Sequence, residues 1–215
     1  MERTKIQTMT YLAIFIAIIF VLGLTPLGFI VLPFLPIAGI TTVHMPVIIG
    51  SYSFGVKGGA ILGFFFGLLS LIRCFMTPDA TAAIVLGTGT GFGLYNILLI
   101  IVIIFLPRIL VGVFSALVYN AISRFDKSRV FAMAIAAFIG SITNTVFYLG
   151  GLYLFAFNQA AAGFGLTNPT HGAFFKVLLG VLSVNGVAEA IAAVIICTAV
   201  GKALYSLNSR RVSLK

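Results

Sequence analysis

Two arginines stand in strongly apolar surroundings where a membrane span has no use for a charge. Arg73 lies in the segment GLLSLIRCF, and Arg108 lies in the segment IIFLPRILVG. An ionisable side chain at such a position is typical of a functional site. A guanidinium is a planar fork that matches a carboxylate or a phosphate. The sequence therefore predicts an anion-binding site, on the condition that the chain spans a membrane and both arginines lie on one side of it.

A second set of polar side chains falls on shared faces of predicted helices. Asn144 and Tyr148 are four residues apart, as are Asn185 and Glu189, so each pair lies on one helical face. Such groups either contact a ligand or hold neighbouring helices together. Glu189 is the only acid deep within a predicted span, and it either accepts hydrogen bonds from a ligand or pairs with a nearby basic or amide group. His44 opens another span, as a ligand contact or as a hydrated interfacial histidine.

The composition identifies a membrane protein. Of the 215 residues, 61% are hydrophobic and 8% are charged, and the mean hydropathy is +1.21. No compact soluble core holds so much apolar surface, so the chain is predicted to be a multi-pass membrane protein. The apolar run from Thr8 is longer than a signal-peptide core and is interpreted as a retained first span. Cys74 and Cys197 lack disulfide or metal-type spacing and are predicted to be small packing residues.

We predict an all-α membrane protein in which a single domain, residues 1–215, contains six transmembrane helices. The predicted spans cover residues 8–24, 42–54, 56–75, 98–123, 130–154 and 173–205. The second and third are short spans joined at Gly55. Glycine, threonine, alanine, asparagine and proline are concentrated in residues 77–93 and 156–171, so both segments are predicted to be long loops.

The chain around Pro107 admits two interpretations. Either the fourth helix starts near Leu98 and kinks at Pro107, or Pro107 is the first helical residue. The second interpretation places Arg108 at the positive end of a helix dipole, where an anion is further stabilised.

The basic residues predict the orientation of the chain. Six spans put both termini on one side, and ten of the thirteen Lys and Arg residues fall there, which makes this side cytoplasmic. These residues are Arg3, Lys5, Lys57, Arg124, Lys127, Arg129, Lys202, Arg210, Arg211 and Lys215. A basic surface beside anionic lipid accounts for the net charge of +9 without nucleic acid. Arg73, Arg108 and Lys176 remain on the outer side, where Lys176 is interpreted as a snorkelling residue.

Small residues mark two helix surfaces. Gly55, Gly59, Gly63 and Gly67 recur at every fourth position, which predicts one edge for close approach to a neighbouring helix. Ala13 and Ala17 form a weaker pair on the first helix, which docks either inside this bundle or against another subunit.

The motifs of ATP hydrolysis and of common hydrolases are absent from the sequence. It contains no GxxxxGK[ST], HExxH or GxSxG segment. The chain is therefore predicted not to be an enzyme, and no cofactor is expected.

These features together resemble the substrate-binding S components of energy-coupling factor (ECF) vitamin transporters. The resemblance covers nearly the whole chain and rests on the alanine pair of the first helix, the apolar first loop, the block from Thr42 to Arg73 and the block PRILVGVFSALVY that starts at Pro107. Within the family, the Thr42–Arg73 block and the Pro107–Arg108 pair most resemble the pantothenate type.

The resemblance implies a location in a prokaryotic cell membrane, a mechanism and a set of partners. It implies that the chain captures a vitamin from outside, joins a membrane T component and two cytoplasmic ATPases, and topples in the bilayer to release its ligand. Arg73 and Arg108 would then hold the carboxylate, with amide and hydroxyl contacts from Asn144, Asn185 and Glu189. Ala13 and Ala17 would face the T component. The alternatives are an S component for another vitamin or a pyrimidine precursor, and a membrane scaffold that binds no ligand.

Overall fold

The computed structural model of the protein describes residues 5–30, 40–77, 80–87 and 91–213. The described chain is helical apart from a 3₁₀ turn, Pro26–Gly28, and a pairing of two-residue strands, β1 (Phe29–Ile30) with β2 (Ile40–Thr41). The helices are α1 (Lys5–Leu24), α2 (His44–Met76), α3 (Ala80–Leu86), α4 (Leu94–Leu99), α5 (Leu106–Ile122), α6 (Val130–Phe155), α7 (Phe157–Gly163), α8 (His171–Val181) and α9 (Val187–Ser213). Most of the apolar first loop, Arg3 and Lys215 lie outside the described residues, as do the side chains of Arg210 and Arg211.

Two π-helical turns join shorter helices into long ones. Residues Ile100–Phe105 connect α4 to α5, and Leu182–Gly186 connect α8 to α9. In the described part of the chain, five helical segments are long and apolar enough to cross a membrane: Lys5–Leu24, His44–Met76, Leu94–Ile122, Val130–Phe155 and His171–Leu207. The interpretation that Pro107 starts a helix is therefore wrong. Leu94 begins the helix, and the π turn accommodates the proline within it.

The chain reverses direction inside α2, at Gly55. This residue has φ 66° and ψ −163°, a conformation that only glycine adopts readily. A Cβ added to Gly50 would lie 2.2 Å from Cδ1 of Leu62. A straight helix would separate these two residues by about 18 Å, so residues 44–54 and 56–76 pack against each other as a helical hairpin. The predicted junction of two short helices at Gly55 is confirmed.

The two predicted long loops are partly helical. Residues 77–93 contain α3, and residues 156–171 contain α7. Each helix has seven residues, which is too short to be stable alone, so packing against the bundle must supply its stability. Val85 of α3, Ala160 and Ala161 of α7, and Phe174 of α8 are buried in one apolar cluster with Leu152 of α6.

The long helices form a closed bundle through successive contacts. Helix α1 packs on α2, α2 on α5, α5 on α6, and α6 on α9, which returns to α2. The predicted glycine edge is where α2 meets α5. A Cβ at Gly59 would lie 2.4 Å from the carbonyl oxygen of Gly112, and one at Gly63 would lie 2.3 Å from that of Arg108. Gly67 faces Phe105, whereas Gly55 makes the turn rather than the contact.

Adding a methyl group at Gly63 tests this contact. We expect Gly63→Ala to destabilise the protein by about 1 to 3 kcal/mol, because the new atom meets backbone and not a flexible side chain. Gly150→Ala is the matched control, since a Cβ at Gly150 meets nothing within 4 Å. The melting temperature of each variant can be measured with a thiol-reactive dye, since Cys74 and Cys197 are both buried in the folded protein. Equal melting temperatures for the two variants would contradict the close contact.

Candidate ligand site

Arg108 is fixed in place by the proline that precedes it. In an α-helix the carbonyl of Ile103 accepts from the amide four residues later, which is Pro107 and has no N–H. A guanidinium nitrogen of Arg108 takes over this role and donates to the Ile103 oxygen at 2.8 Å. The guanidinium carbon lies 5.1 Å from the ring centroid of Tyr148 and 5.6 Å from that of Phe66. Backbone, proline and aromatic rings thus define the position of the charge.

Arg73 is anchored in a similar way, to the end of α1. One of its guanidinium nitrogens donates to the carbonyl oxygen of Gly23 at 2.9 Å. This carbonyl is in the last turn of α1, where backbone oxygens have no partner within the helix. A guanidinium carries five N–H donors and can make several such bonds. Arg73 therefore joins the last turn of α2 to the end of α1.

Both arginines line one cavity of about 370 Å³. Its wall is built from the last turns of α2, from α3, from the π turn before α5, and from α6. The lining residues are Ser70, Arg73, Cys74, Thr77, Thr81, Ile104, Arg108 and Tyr148. Its volume falls within the range of about 300 to 1,000 Å³ that is usual for small-molecule sites.

The short helix α3 is fastened to this cavity by a hydrogen bond. The hydroxyl groups of Thr81 and Tyr148 are 2.5 Å apart. Another hydrogen bond joins the hydroxyl of Tyr95, on α4, to the backbone oxygen of Phe155 at the end of α6. The segments after α2 are thereby held across the end of the bundle at which both arginines lie.

A group of buried polar side chains lies beside the cavity, deeper in the bundle. His44, Asn144, Asn185 and Glu189 are all buried, and none belongs to the cavity lining. Glu189 accepts a hydrogen bond from the backbone N–H of Thr41 at 2.8 Å. The charge of Arg108 interacts electrostatically with both His44 and Glu189. Arg108 therefore links the cavity to the deeper polar group.

Several atoms of this polar group have no hydrogen-bond partner in the described part of the chain. They are both ring nitrogens of His44, both side-chain polar atoms of Asn185 and the Oδ1 atom of Asn144. His44 is fully buried, so its interpretation as a hydrated interfacial residue is wrong. Each buried polar group without a partner costs about 1 to 3 kcal/mol. Such a cluster is expected where a polar ligand supplies the missing partners.

Two further buried polar residues were not singled out from the sequence. The hydroxyl oxygens of Ser115 and Ser141 are buried without a hydrogen-bond partner among the described residues. The sequence spacing could have indicated them. Ser115 lies two helical turns after Arg108 and Ser141 lies one turn before Asn144, so each serine shares a helical face with a predicted site residue.

The seven predicted ligand residues thus fall into two neighbouring sets. Arg73, Arg108 and Tyr148 line the cavity, and the other four lie buried beside it. This arrangement suits the binding of an anion with additional polar groups. Among the described residues, no three His, Cys, Asp or Glu side chains come together to hold a metal ion.

The predicted docking face lies outside the described bundle. Ala13 and Ala17 are exposed on α1, as are Ile14 and Ile18 beside them. The alternative in which this face packs inside the bundle is therefore wrong for the described residues.

The hydrogen bond between Thr81 and Tyr148 is testable by amide hydrogen exchange. We expect Tyr148→Phe and Thr81→Val each to speed exchange in α3 about fivefold or more, the scale of one neutral hydrogen bond. The double variant should exchange no faster than either single variant, because both changes remove the same bond. Exchange at the centre of α6 is the internal control. Additive effects of the two changes would contradict a shared bond.

Comparisons with known proteins identify the family. Residues 7–201 match the family described as ECF transporter, substrate-specific component. The chain is 36% identical over 214 residues to a protein named pantothenic acid transporter PanT from Lactococcus lactis subsp. cremoris, with 95% of this chain and 96% of that protein covered. It is 24% identical over 216 residues to the pantothenate transporter PanT of Leuconostoc mesenteroides subsp. mesenteroides, with 98% of each covered. The resemblance seen in the sequence is confirmed: the chain is a multi-pass membrane protein that belongs to the family of substrate-specific components of ECF transporters.

Proposed function

We propose that the protein is the pantothenate-binding subunit of an ECF-type importer. The observation that carries this proposal is the position of Arg73 and Arg108 on one cavity of about 370 Å³. Two guanidinium groups on one small cavity favour a ligand with a negative charge. The names of the two PanT relatives support a vitamin whose single carboxylate supplies that charge.

The remaining groups of pantothenate match the deeper polar side chains. The molecule carries one amide and two hydroxyl groups besides its carboxylate. Asn144, Asn185 and His44 offer buried donors and acceptors that have no protein partner among the described residues. Glu189 accepts a hydrogen bond from the backbone N–H of Thr41, and its carboxylate oxygens have further lone pairs for a ligand hydroxyl. We place the carboxylate between the arginines, where Tyr148 forms part of the wall, and the hydroxyl end beside Asn144, Asn185 and Glu189.

The proposed topology has six crossings with both termini in the cytoplasm. Helix α2 contributes two of these crossings because the chain reverses at Gly55. Residues 44–54 are short for a crossing, and β2, directly before them, extends this passage toward the outer surface. Lys5, Lys57, Lys202 and the basic segment 123–129 then lie on the cytoplasmic side, and the cavity opens outward.

The proposed partners follow from family membership and from the exposed face of α1. We place a T component against Ala13 and Ala17, with two cytoplasmic ATPases that supply energy, since the sequence has no phosphate-binding loop. Toppling of the subunit in the bilayer would carry the ligand from the outer to the inner side.

Two alternative functions are distinguished from the binding of pantothenate by the ligand that the purified protein retains. An S component for another vitamin or a pyrimidine precursor would share the scaffold and differ in the ligand it retains. A scaffold protein would bind no small molecule and would use its exposed faces alone. Native mass spectrometry after growth in rich medium distinguishes them: pantothenate, another vitamin-sized mass, or none.

Removal of either arginine charge tests the carboxylate assignment. We expect Arg73→Gln and Arg108→Gln each to weaken pantothenate binding by about 1.5 to 3 kcal/mol, roughly 10- to 150-fold, which is the scale of a charged hydrogen bond. Lys176→Gln is the control, because Lys176 is the third basic residue of the same side and is exposed away from the cavity. Calorimetry on the purified protein measures each affinity.

The neutral analogue pantothenol separates ligand contact from a structural effect, because an alcohol replaces its carboxylate. Loss of an arginine should affect pantothenol binding by less than about twofold if the arginine contacts the carboxylate. Equal losses for both ligands would instead show that the arginines act only through the carbonyls of Gly23 and Ile103.

A bulky residue on α1 tests the docking face. We expect Ala13→Trp to reduce pantothenate uptake by cells about tenfold or more and to leave binding by the purified protein unchanged, because Ala13 is exposed and far from the cavity lining. Ala121→Trp is the control, since it enlarges an exposed alanine on α5. Loss of binding together with uptake would contradict a purely external role for this face.

A further inference from the structure

A second cavity, of about 470 Å³, lies at the opposite end of the bundle from the arginine pair. It is formed where α1, α2, α5, α6 and α9 meet. Arg129, Tyr11, Tyr52, Tyr119, Tyr205 and Leu204 are among its lining residues. Tyr119 and Arg108 are on the same helix, eleven residues apart, which corresponds to about 16 Å. The two cavities are therefore separate sites.

Arg129 gives this cavity a fixed positive charge. Its backbone is in the left-handed conformation, φ 60°, at the start of α6. A guanidinium nitrogen donates to the hydroxyl oxygen of Tyr119 at 3.3 Å, and the guanidinium carbon lies 4.8 Å from the ring centroid of Tyr205. The ammonium of Lys202 lies 5.8 Å from the same ring and donates to the backbone oxygen of Ser128. Two cations thus flank Tyr205, which is a lining residue of the cavity.

The nearby acid, Asp126, makes no ion pair with the guanidinium of Arg129 in the described part of the chain. The carboxylate of Asp126 accepts hydrogen bonds from the backbone N–H of Ala132 and from both the backbone and the hydroxyl of Ser128. These bonds, with that from Ala132 foremost, hold the pKa of Asp126 below its usual range, so it is ionised but directed to the start of α6. The guanidinium of Arg129 contacts the neutral phenol groups of Tyr119 and Tyr205.

The rest of the cavity wall is apolar. Phe15 and Phe54 meet edge to face at 5.8 Å, and Leu204 and Leu207 extend the apolar surface along α9 toward the outside of the bundle. Leu207 is 61% exposed. A small inorganic anion would gain nothing from this surface, whereas a molecule with an anionic head and a hydrocarbon chain would contact both parts. Tyrosine beside basic residues is also typical of the headgroup level of a membrane.

We propose that this cavity binds one anionic phospholipid. Its phosphate lies against Arg129 and Lys202, and one acyl chain lies on Phe15, Phe54 and Leu204. The basic end of the bundle faces a leaflet that supplies such lipids at high local concentration. This proposal concerns a different site from the vitamin cavity and does not depend on the identity of the ligand bound there.

Native mass spectrometry of the purified full-length chain tests the proposal, with phosphatidylglycerol, phosphatidylcholine and glycerol phosphate as probes. We expect the protein to retain phosphatidylglycerol about tenfold better than phosphatidylcholine, and to retain glycerol phosphate poorly. Arg129→Gln should lower retention of phosphatidylglycerol about tenfold. Arg124→Gln is the matched control, because Arg124 is exposed in the same loop and does not line the cavity.

A second variant tests the same site in case Arg129→Gln does not fold. Leu207→Glu adds a negative charge at the cavity mouth on a largely exposed side chain, so it should weaken retention of phosphatidylglycerol while the melting temperature stays within about two degrees of the unmodified protein. Leu207→Gln should retain the lipid. Equal retention of the two lipids, equal losses in Arg129→Gln and Arg124→Gln, or retention of glycerol phosphate as strong as that of phosphatidylglycerol would overturn the proposal.

Discussion

The close approach of α2 and α5 is the contact on which the rest of the structure depends. Inside a bilayer, helices gain no hydrophobic energy by leaving lipid for protein, so their association depends on dense packing and interhelical polar contacts. The absence of a Cβ at Gly59, Gly63 and Gly112 lets the two backbones meet directly. Because Gly63 faces the backbone of Arg108, this packing also sets the depth of that arginine in the bundle. The ligand cavity is therefore positioned by residues that contribute no chemistry to it.

Both arginines of the cavity have a structural role that follows from the same environment. In lipid, a backbone carbonyl without a partner is costly. The carbonyl of Gly23 lies in the last turn of its helix, and that of Ile103 loses its α-helical partner at Pro107. Arg73 and Arg108 satisfy one each. The consequence is preorganisation: each guanidinium is held by the backbone at a defined place, and little side-chain freedom remains to be lost when an anion binds.

The sequence predicts the elements well where local chemistry determines them. The glycine at position 55 and the glycine spacing along α2 are local signals, and the helix break and the α2–α5 contact agree with them. The π turns and the helices α3 and α7 depend on packing between distant segments, so no local pattern shows them. The same reason explains His44: its position at the start of a span suggests contact with water, but neighbouring elements bury it completely.

The two cavities differ in how far the protein satisfies its own polar groups. At the basic end, Arg129 and Lys202 have hydrogen-bond acceptors within the protein, and the hydroxyl of Tyr52 donates to the backbone oxygen of Met133. Beside the arginine cavity, His44 and Asn185 lie buried with no partner among the described residues. These atoms are buried, so a ligand hydroxyl or amide that pairs with one of them removes an unfavourable free energy of about 1 to 3 kcal/mol. A ligand that fills the same volume with apolar groups leaves that cost in place. For the proposed ligand, selectivity for a polar, hydroxylated anion would therefore depend on the buried atoms that have no partner among the described residues, as well as on the charges of the two arginines.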